Sequence, residues 1–183
     1  VIHVHVTYLP YLENIGEMKS KPAQTSVHIL NGMGIQPEIM VARTDREIDK
    51  KRLERLALFC NIDAKHIFSA PNLDSVYKVP LLFHQKNHHF ASTCLKLLNL
   101  KPKKHEHLVK WQEMTKRSTT KWPTKVRVAM VGKYFTTGSF SLIDSYVSVI
   151  ESLKHASWKL GVQVEFGWID SDTIEKEGTT ILK

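Results

Sequence analysis

Lys19 and Lys21 stand two apart in the stretch GEMKSKPAQTSV, residues 16–27, with Pro22 and Gln24 just behind them. Two ammonium groups at that spacing are point charges suited to phosphate oxygens. They fall in a polar loop, 10–22, between a run with strand alternation and a helix whose pattern runs from Gln24 to Met33 and ends at Gly34. In open α/β sheets ligands bind in the crevice beyond the carboxyl ends of the strands. A helix start near Gln24, Thr25 and Ser26 adds unpaired backbone N–H groups and a favourable dipole, and Pro22 stiffens the turn into it. Strand, basic loop and helix start together make a cradle for a triphosphate. The same residues also suit an exposed, solvated turn, and residue types alone leave both readings open.

Other constellations fall short of a complete site. His84, His88 and His89 cluster, and His105 and His107 form a second pair, but no carboxylate or cysteine completes a familiar three-ligand spacing and no HExxH is present. No metal ligand is expected. The stretch VGKY, 131–134, has one glycine and one lysine and is not the GxxxxGK[ST] phosphate loop, so it reads as a strand-to-loop turn. Neither GxSxG nor GxGxxG occurs. Cys60 and Cys94 lie in apolar runs with no base beside them, which predicts buried, reduced thiols in a cytoplasmic protein. No catalytic residue is expected.

The elements that must carry these residues follow from pattern. The 183 residues, 42% hydrophobic and 24% charged, allow one domain or two small ones. No apolar run reaches the ~18–20 residues that span a bilayer, and no signal-peptide pattern is present. A net charge of +8 favours anionic partners, nucleic acid or nucleotide. The basic residues are scattered through DKKRLER, LKPKKHEH and TKRSTTKWPTK without a ribonucleoprotein-type motif, so specific nucleic-acid binding is not expected.

Strands are expected at 1–9, 37–43 and 66–70, with helices at 24–33 and 48–60 between them. The second helix places Ile48, Leu53, Leu56, Phe59 and Cys60 on one face, with Asp49 near its N-cap. Strand, helix, strand, helix, strand predicts a parallel α/β sheet. A helix near 89–98 follows, and then a basic, polar linker, 100–124, with Pro102, Pro123 and one helix at about 105–117. A buried-type strand at 126–134 follows. A helix at 140–158 carries Leu142, Ile143, Tyr146, Val149, Ile150 and Leu153, and a strand at 162–170 completes a βαβ unit of a second domain. Val1 already lies in strand pattern and EKEGTTILK stops inside an α/β unit, so the sequence reads as a segment of something longer.

The blocks GEMKSKPAQTSV, GIQPEIMVAR, LALFCNI, DSVYKVPLL, VAMVGKY and DSYVSVIESLKHA, in that order and at those intervals, resemble the CTP synthase family. The resemblance covers nearly the whole chain and is weakest over 85–123. It implies a partial, parallel-sheet, P-loop-NTPase-like synthetase domain at 1–99, a linker at 100–124, and the start of a Rossmann-like class I glutamine amidotransferase domain at 125–183. The implied full enzyme phosphorylates the uracil 4-oxygen of UTP with Mg-ATP. Ammonia from glutamine, released by a Cys-His-Glu triad, then displaces the phosphate to give CTP.

Carried over by position, the resemblance makes Lys19, Ser20, Lys21, Pro22, Ala23 and Gln24 part of the UTP site, which also takes CTP as feedback inhibitor. The family usually has Thr at Ser20 and Ala23; Ser20 keeps a hydroxyl and Ala23 loses one. Arg55 stands where bacterial members place a nucleotide-contacting lysine, keeping the charge with a different geometry. Pro71, Asn72 and Leu73 occupy the segment that meets ATP, and Lys133 falls near the domain junction, with a coupling role implied. A homotetramer and the effector GTP belong to the same implication. The phosphate-binding loop and magnesium carboxylates would lie upstream and the glutaminase triad downstream, so the segment by itself is expected to make no CTP. Two other classes remain: a basic module that holds nucleic acid electrostatically, and a segment that mainly builds oligomer contacts.

Overall fold

The computed structural model describes residues 1–85, 88–102, 107–133, 135–137, 140–141 and 143–182. The chain divides into two compact units, Val1–Glu106 and His107–Lys183. Among the described residues no helix is long and apolar enough to cross a membrane.

The first unit contains strands β1 (Val4–Tyr8), β2 (Tyr11–Leu12) and β3 (Glu17–Met18), helix α1 (Lys21–Gly32), strand β4 (Ile39–Thr44), helix α2 (Lys50–Cys60), strand β5 (Ile67–Pro71), and helices α3 (Val79–His84) and α4 (Phe90–Leu97). Strands β1, β4 and β5 form a parallel sheet in the order β1-β4-β5. Helices α1 and α2 are its crossovers. β4 is central and buried on both faces, as a continuous apolar run predicts. Its side chains alternate between two cores. Met40 and Ala42 join Val27 of α1, Leu56 and Cys60 of α2, and Ile67 of β5. Ile39 and Val41 join Phe68, with Phe83 of α3 and Phe90 of α4 packed on them. Each fully buried aliphatic side chain contributes about 1.5–3 kcal/mol.

Several boundaries differ from the expected ones for local reasons. The expected 10–22 loop contains the β2–β3 hairpin, closed through Gly16 at φ 63, and its last two residues are helical. α1 starts at Lys21 because Pro22 sits in the first turn, where no N–H is needed. α2 starts two residues later than expected. The Asp49 side chain accepts from the Arg52 N–H as a cap, and Asn61 ends the helix in the left-handed conformation. Of its expected apolar face, Leu56 and Cys60 are buried, but Phe59 is 52% exposed. Helix α3 was not expected: it is only six residues long, with Pro80 in its first turn. Cys94 is half-buried rather than buried. On β1, His5 and Thr7 meet the Ser26 hydroxyl of α1 at 2.9 and 3.2 Å, while Val4, Val6 and Tyr8 on the other face are exposed.

The second unit contains α5 (His107–Ser118), β6 (Lys125–Gly132), the short antiparallel pair β7 (Thr136–Thr137) and β8 (Phe140–Ser141), α6 (Val147–Leu160), β9 (Gln163–Asp170) and α7 (Ser171–Glu177). β6 and β9 are parallel, from Lys125 opposite Gln163 to Gly132 opposite Asp170. The helix expected at 140–158 begins only at Val147; a 3-10 turn, Ile143–Tyr146, precedes it. On its expected face Ile150 is buried but Val149 is exposed, and Leu142 lies outside the described residues. β6 is less covered than a buried-type strand, with Val126 and Val131 exposed, because β9 is its only described strand neighbour. Arg117 donates from Nη1 to the carbonyls of Trp158 (3.4 Å) and Lys159 (3.3 Å), satisfying the last turn of α6.

Candidate functional site

The hairpin β2–β3 leaves the carboxyl end of β1 and returns to start α1. Leu9 N–H donates to the Arg43 carbonyl at 2.8 Å, and Lys19 N–H donates to the Pro10 carbonyl at 2.9 Å, which closes the base of the hairpin. Residues 19–24 therefore stand at the carboxyl end of the sheet, where α/β proteins bind ligands.

Within this segment the side chains take different parts. Ser20 is buried, and its Oγ accepts from Gln24 Nε2 at 3.1 Å. Lys21 and Pro22 are exposed, and no ion pair engages Lys21 among the described residues. Lys19 is not a free cation: its Nζ meets Glu17 Oε2 at 2.8 Å. Ala23 is fully buried in the α1–α2 core, so its side chain supports the loop from beneath and takes no part in the exposed surface.

Helix α2 supplies the opposite wall. Arg52 reaches the hairpin two ways and its own helix cap a third. Its Nε donates to the Met18 carbonyl at 3.0 Å, Nη2 lies 3.2 Å from Glu17, and Nη1 lies 2.6 Å from Asp49, the cap of α2. Glu17 is thus shared by Lys19 and Arg52. The hydrogen bond from Lys19 leads in holding its carboxyl below the usual range, with the charge of Arg52 assisting. A polar cavity of about 180 Å³ lies between hairpin and helix, walled by Glu17, Met18, Ser20, Lys51, Arg52 and Arg55. Arg55 enters this wall, as its place beside the loop requires; Lys19, Lys21 and Gln24 are not among its lining residues. Glu17, Lys51 and Arg52 were not singled out from the sequence. The one available signal was helical spacing, since Lys51 precedes Arg55 by four residues and Asp49 precedes Arg52 by three.

Residues 71–73 lie at the same carboxyl end of the sheet, on the opposite edge strand β5. Pro71 ends β5 opposite Thr44, and Asn72 N–H donates to the Thr44 carbonyl at 2.9 Å. Asn72 Nδ2 donates to Asp45 (2.7 Å), Arg43 Nη2 donates to Asn72 Oδ1 (3.3 Å), and the Tyr8 hydroxyl donates to Asp45 (3.1 Å). This tyrosine, carboxylate, arginine and amide cluster holds Asn72; Leu73 is exposed. Lys133 belongs to the second unit, at the end of β6, with its side chain exposed and its carbonyl accepting from the Tyr146 hydroxyl at 3.0 Å.

Among the described residues no three His, Cys, Asp or Glu side chains come together as a metal site. His89 precedes α4 in the left-handed conformation, while His105 and the side chain of His107 lie outside the described residues. A larger cavity of about 490 Å³ near α3 and α4 has Phe83 and Leu95 in its wall and no described lysine or arginine.

A family model described as the CTP synthase N-terminus matches residues 1–100. CTP synthase of Staphylococcus saprophyticus subsp. saprophyticus is 38% identical over 177 residues, covering 97% of this chain and 32% of that protein. The CTP synthases of Staphylococcus aureus strains JH9 and Newman are each 37% identical over 177 residues, with the same coverage. The chain spans about a third of the length of the curated relatives it matches. With more than half of its residues matched by that family model, the chain belongs to the CTP synthase family.

Proposed function

We propose that the chain is a segment of a glutamine-using, ATP-dependent amidoligase that makes CTP from UTP, and that residues 19–24 with Arg55 hold the triphosphate of UTP or CTP. The observation that supports this most is the meeting of Ser20, which lies between the two lysines of the loop, with the basic face of α2 around a polar cavity at the carboxyl end of a parallel sheet. A polyanion arriving there finds Lys21 and Arg55 with no ion-pair partner among the described residues, and shares Lys19 with Glu17. Ser20 and Gln24, already joined by a hydrogen bond, present a hydroxyl and an amide at fixed spacing. The role of these residues is binding and orientation. No group transfer is assigned to them.

In the same proposal residues 1–99 belong to a P-loop-NTPase-like synthetase domain, 100–124 are the linker and 125–183 begin a glutamine amidotransferase domain. Asn72, held by Arg43 and Asp45, would lie toward ATP, with Pro71 and Leu73 beside it. Lys133 would couple the two active sites. ATP, glutamine, the effector GTP, a homotetramer and a cytoplasmic location are proposed of the full enzyme. The described carboxylates do not gather into a set that fits Mg²⁺. The segment alone is expected to form no CTP and to hydrolyse no glutamine.

The test is calorimetric titration of the folded chain with UTP, CTP, ATP and GTP at one moderate salt concentration, repeated with Lys21→Ala. Circular dichroism establishes that both samples are folded. Pyrimidine-selective binding that is lost in the variant supports the proposal. Weak binding that ignores the base and falls steeply with salt would replace it with a basic, nucleic-acid-type surface.

A further inference from the structure

We infer that Lys51, which no motif singles out, is a further ligand-binding residue that forms with Arg55 a two-pronged grip on a phosphate group in the cavity between α2 and the hairpin. The identity of the ligand as a nucleoside triphosphate rests on the function proposed above; the grip itself rests on charge and geometry.

The supply of carboxylate in this cavity is used up. Among the described residues Glu17 is the one acidic side chain in its wall, and it is already engaged by Lys19 at 2.8 Å and Arg52 at 3.2 Å. Arg52 is further held by Asp49 and the Met18 carbonyl. Lys51 and Arg55 remain, and neither has an ion-pair partner among the described residues. They lie four apart on α2, one turn above the other on one face, and both line the cavity. Like charges at that spacing oppose helix stability. Among the described residues no ion pair compensates them, whereas an anion seated between them would. Ser20 adds a third donor: its Oγ accepts from Gln24, which leaves its own O–H to donate into the same space.

Lys50 provides the internal contrast. It is adjacent in sequence and carries the same charge, yet its side chain is 90% exposed, pairs with Glu54 at 3.9 Å and takes no part in the wall. A general basic surface would use Lys50 and Lys51 alike. A built phosphate grip uses only Lys51.

The experiment titrates UTP and, separately, inorganic tripolyphosphate into the wild-type chain and into Lys51→Ala, Lys50→Ala and Lys51→Arg, at one fixed salt concentration, with melting curves for each. Lys51→Ala is expected to weaken both probes by about tenfold, the loss of one charge-assisted contact. Lys50→Ala should change either by less than about twofold, and Lys51→Arg should keep most of the affinity because the positive charge facing the phosphate remains. Equal effects of Lys50→Ala and Lys51→Ala would overturn the inference. If Lys21→Ala abolishes pyrimidine selectivity while Lys51→Ala changes nothing, this inference falls and the proposed function stands. If Lys51→Ala weakens both probes but UTP binds no better than ATP or GTP, the grip stands and the pyrimidine reading falls. If neither probe binds the folded wild type at millimolar concentration, both fall.

Discussion

Leu56→Ala tests the burial on which the site depends. Leu56 is fully buried between α1, α2 and the sheet, and it lies on the turn between Arg52 and Cys60 of the helix that carries Lys51 and Arg55. Removing three carbons forfeits about 2.4 kcal/mol of transfer free energy at ~0.8 per carbon, and the incompletely closed hole brings the cost to about 3 kcal/mol. The first unit, Val1–Glu106, has an unfolding entropy near 0.2 kcal/mol per kelvin at its midpoint, from about 2.1 cal/mol/K per residue. The midpoint should therefore fall by about 15 °C. The matched control is Leu58→Ala, two residues along the same helix, where the side chain is 77% exposed. That substitution should cost less than about 0.5 kcal/mol, or about 2 °C. Thermal unfolding followed by far-ultraviolet circular dichroism, with urea midpoints as a second measure, reads both. Equal shifts, or a larger one for Leu58→Ala, would refute the assignment of the buried face of α2.

Three further expectations follow from separate contacts. An alanine at Gly132 would set its Cβ against the Tyr146 hydroxyl and 2.9 Å from buried Phe135, so Gly132→Ala should destabilise the second unit by about 1–3 kcal/mol. Gly167→Ala, with nothing within 4 Å of the added Cβ among the described residues, should be close to neutral in the same melting experiment. Burial pushes the Cys60 thiol up to about 11, which leaves roughly a thousandth of it as thiolate at pH 8. Iodoacetamide should therefore spare Cys60 until urea unfolds the chain, and mass spectrometry that finds it labelled before Cys94 would contradict this. Glu38 accepts from the His3 N–H at 2.6 Å, and that bond leads in holding its carboxyl below the ordinary range. A depressed folded value means that its contribution is complete above the unfolded value, near 4.3, and is lost as pH falls through the lower folded one. Stability measured from pH 6 to pH 3 should fall less steeply in Glu38→Gln than in wild type.

The strands and the principal helices were legible from pattern because each has one buried face or two. β4 reads as a continuous apolar run since both its faces are covered, and α2 reads from its apolar period and the Asp49 cap. Where local signals were short or shared, pattern failed. Pro22 marks a turn as well as it marks a first helical turn, so the start of α1 was misplaced by three residues. The apolar residues near 140 fit a helical period, yet Thr136, Thr137 and Phe140 also suit extended backbone, and a short strand pair forms there. Val149 and Phe59 were set on buried faces that packing turned toward solvent.

The site divides along the same line. Its chemical types are in the sequence: two lysines around a serine, a glutamine one turn on, and a run of cations on the next helix. The blocks that carry the family resemblance are likewise a property of the sequence. Which cations are available is not, because charge pairing depends on distances between elements about thirty residues apart. Only when the crossover brings α2 against the hairpin does Arg52 find Glu17 and the Met18 carbonyl, and only then is Lys19 part of a shared ion pair. The same packing buries Ala23 and leaves Lys51 and Arg55 facing one cavity without a carboxylate of their own.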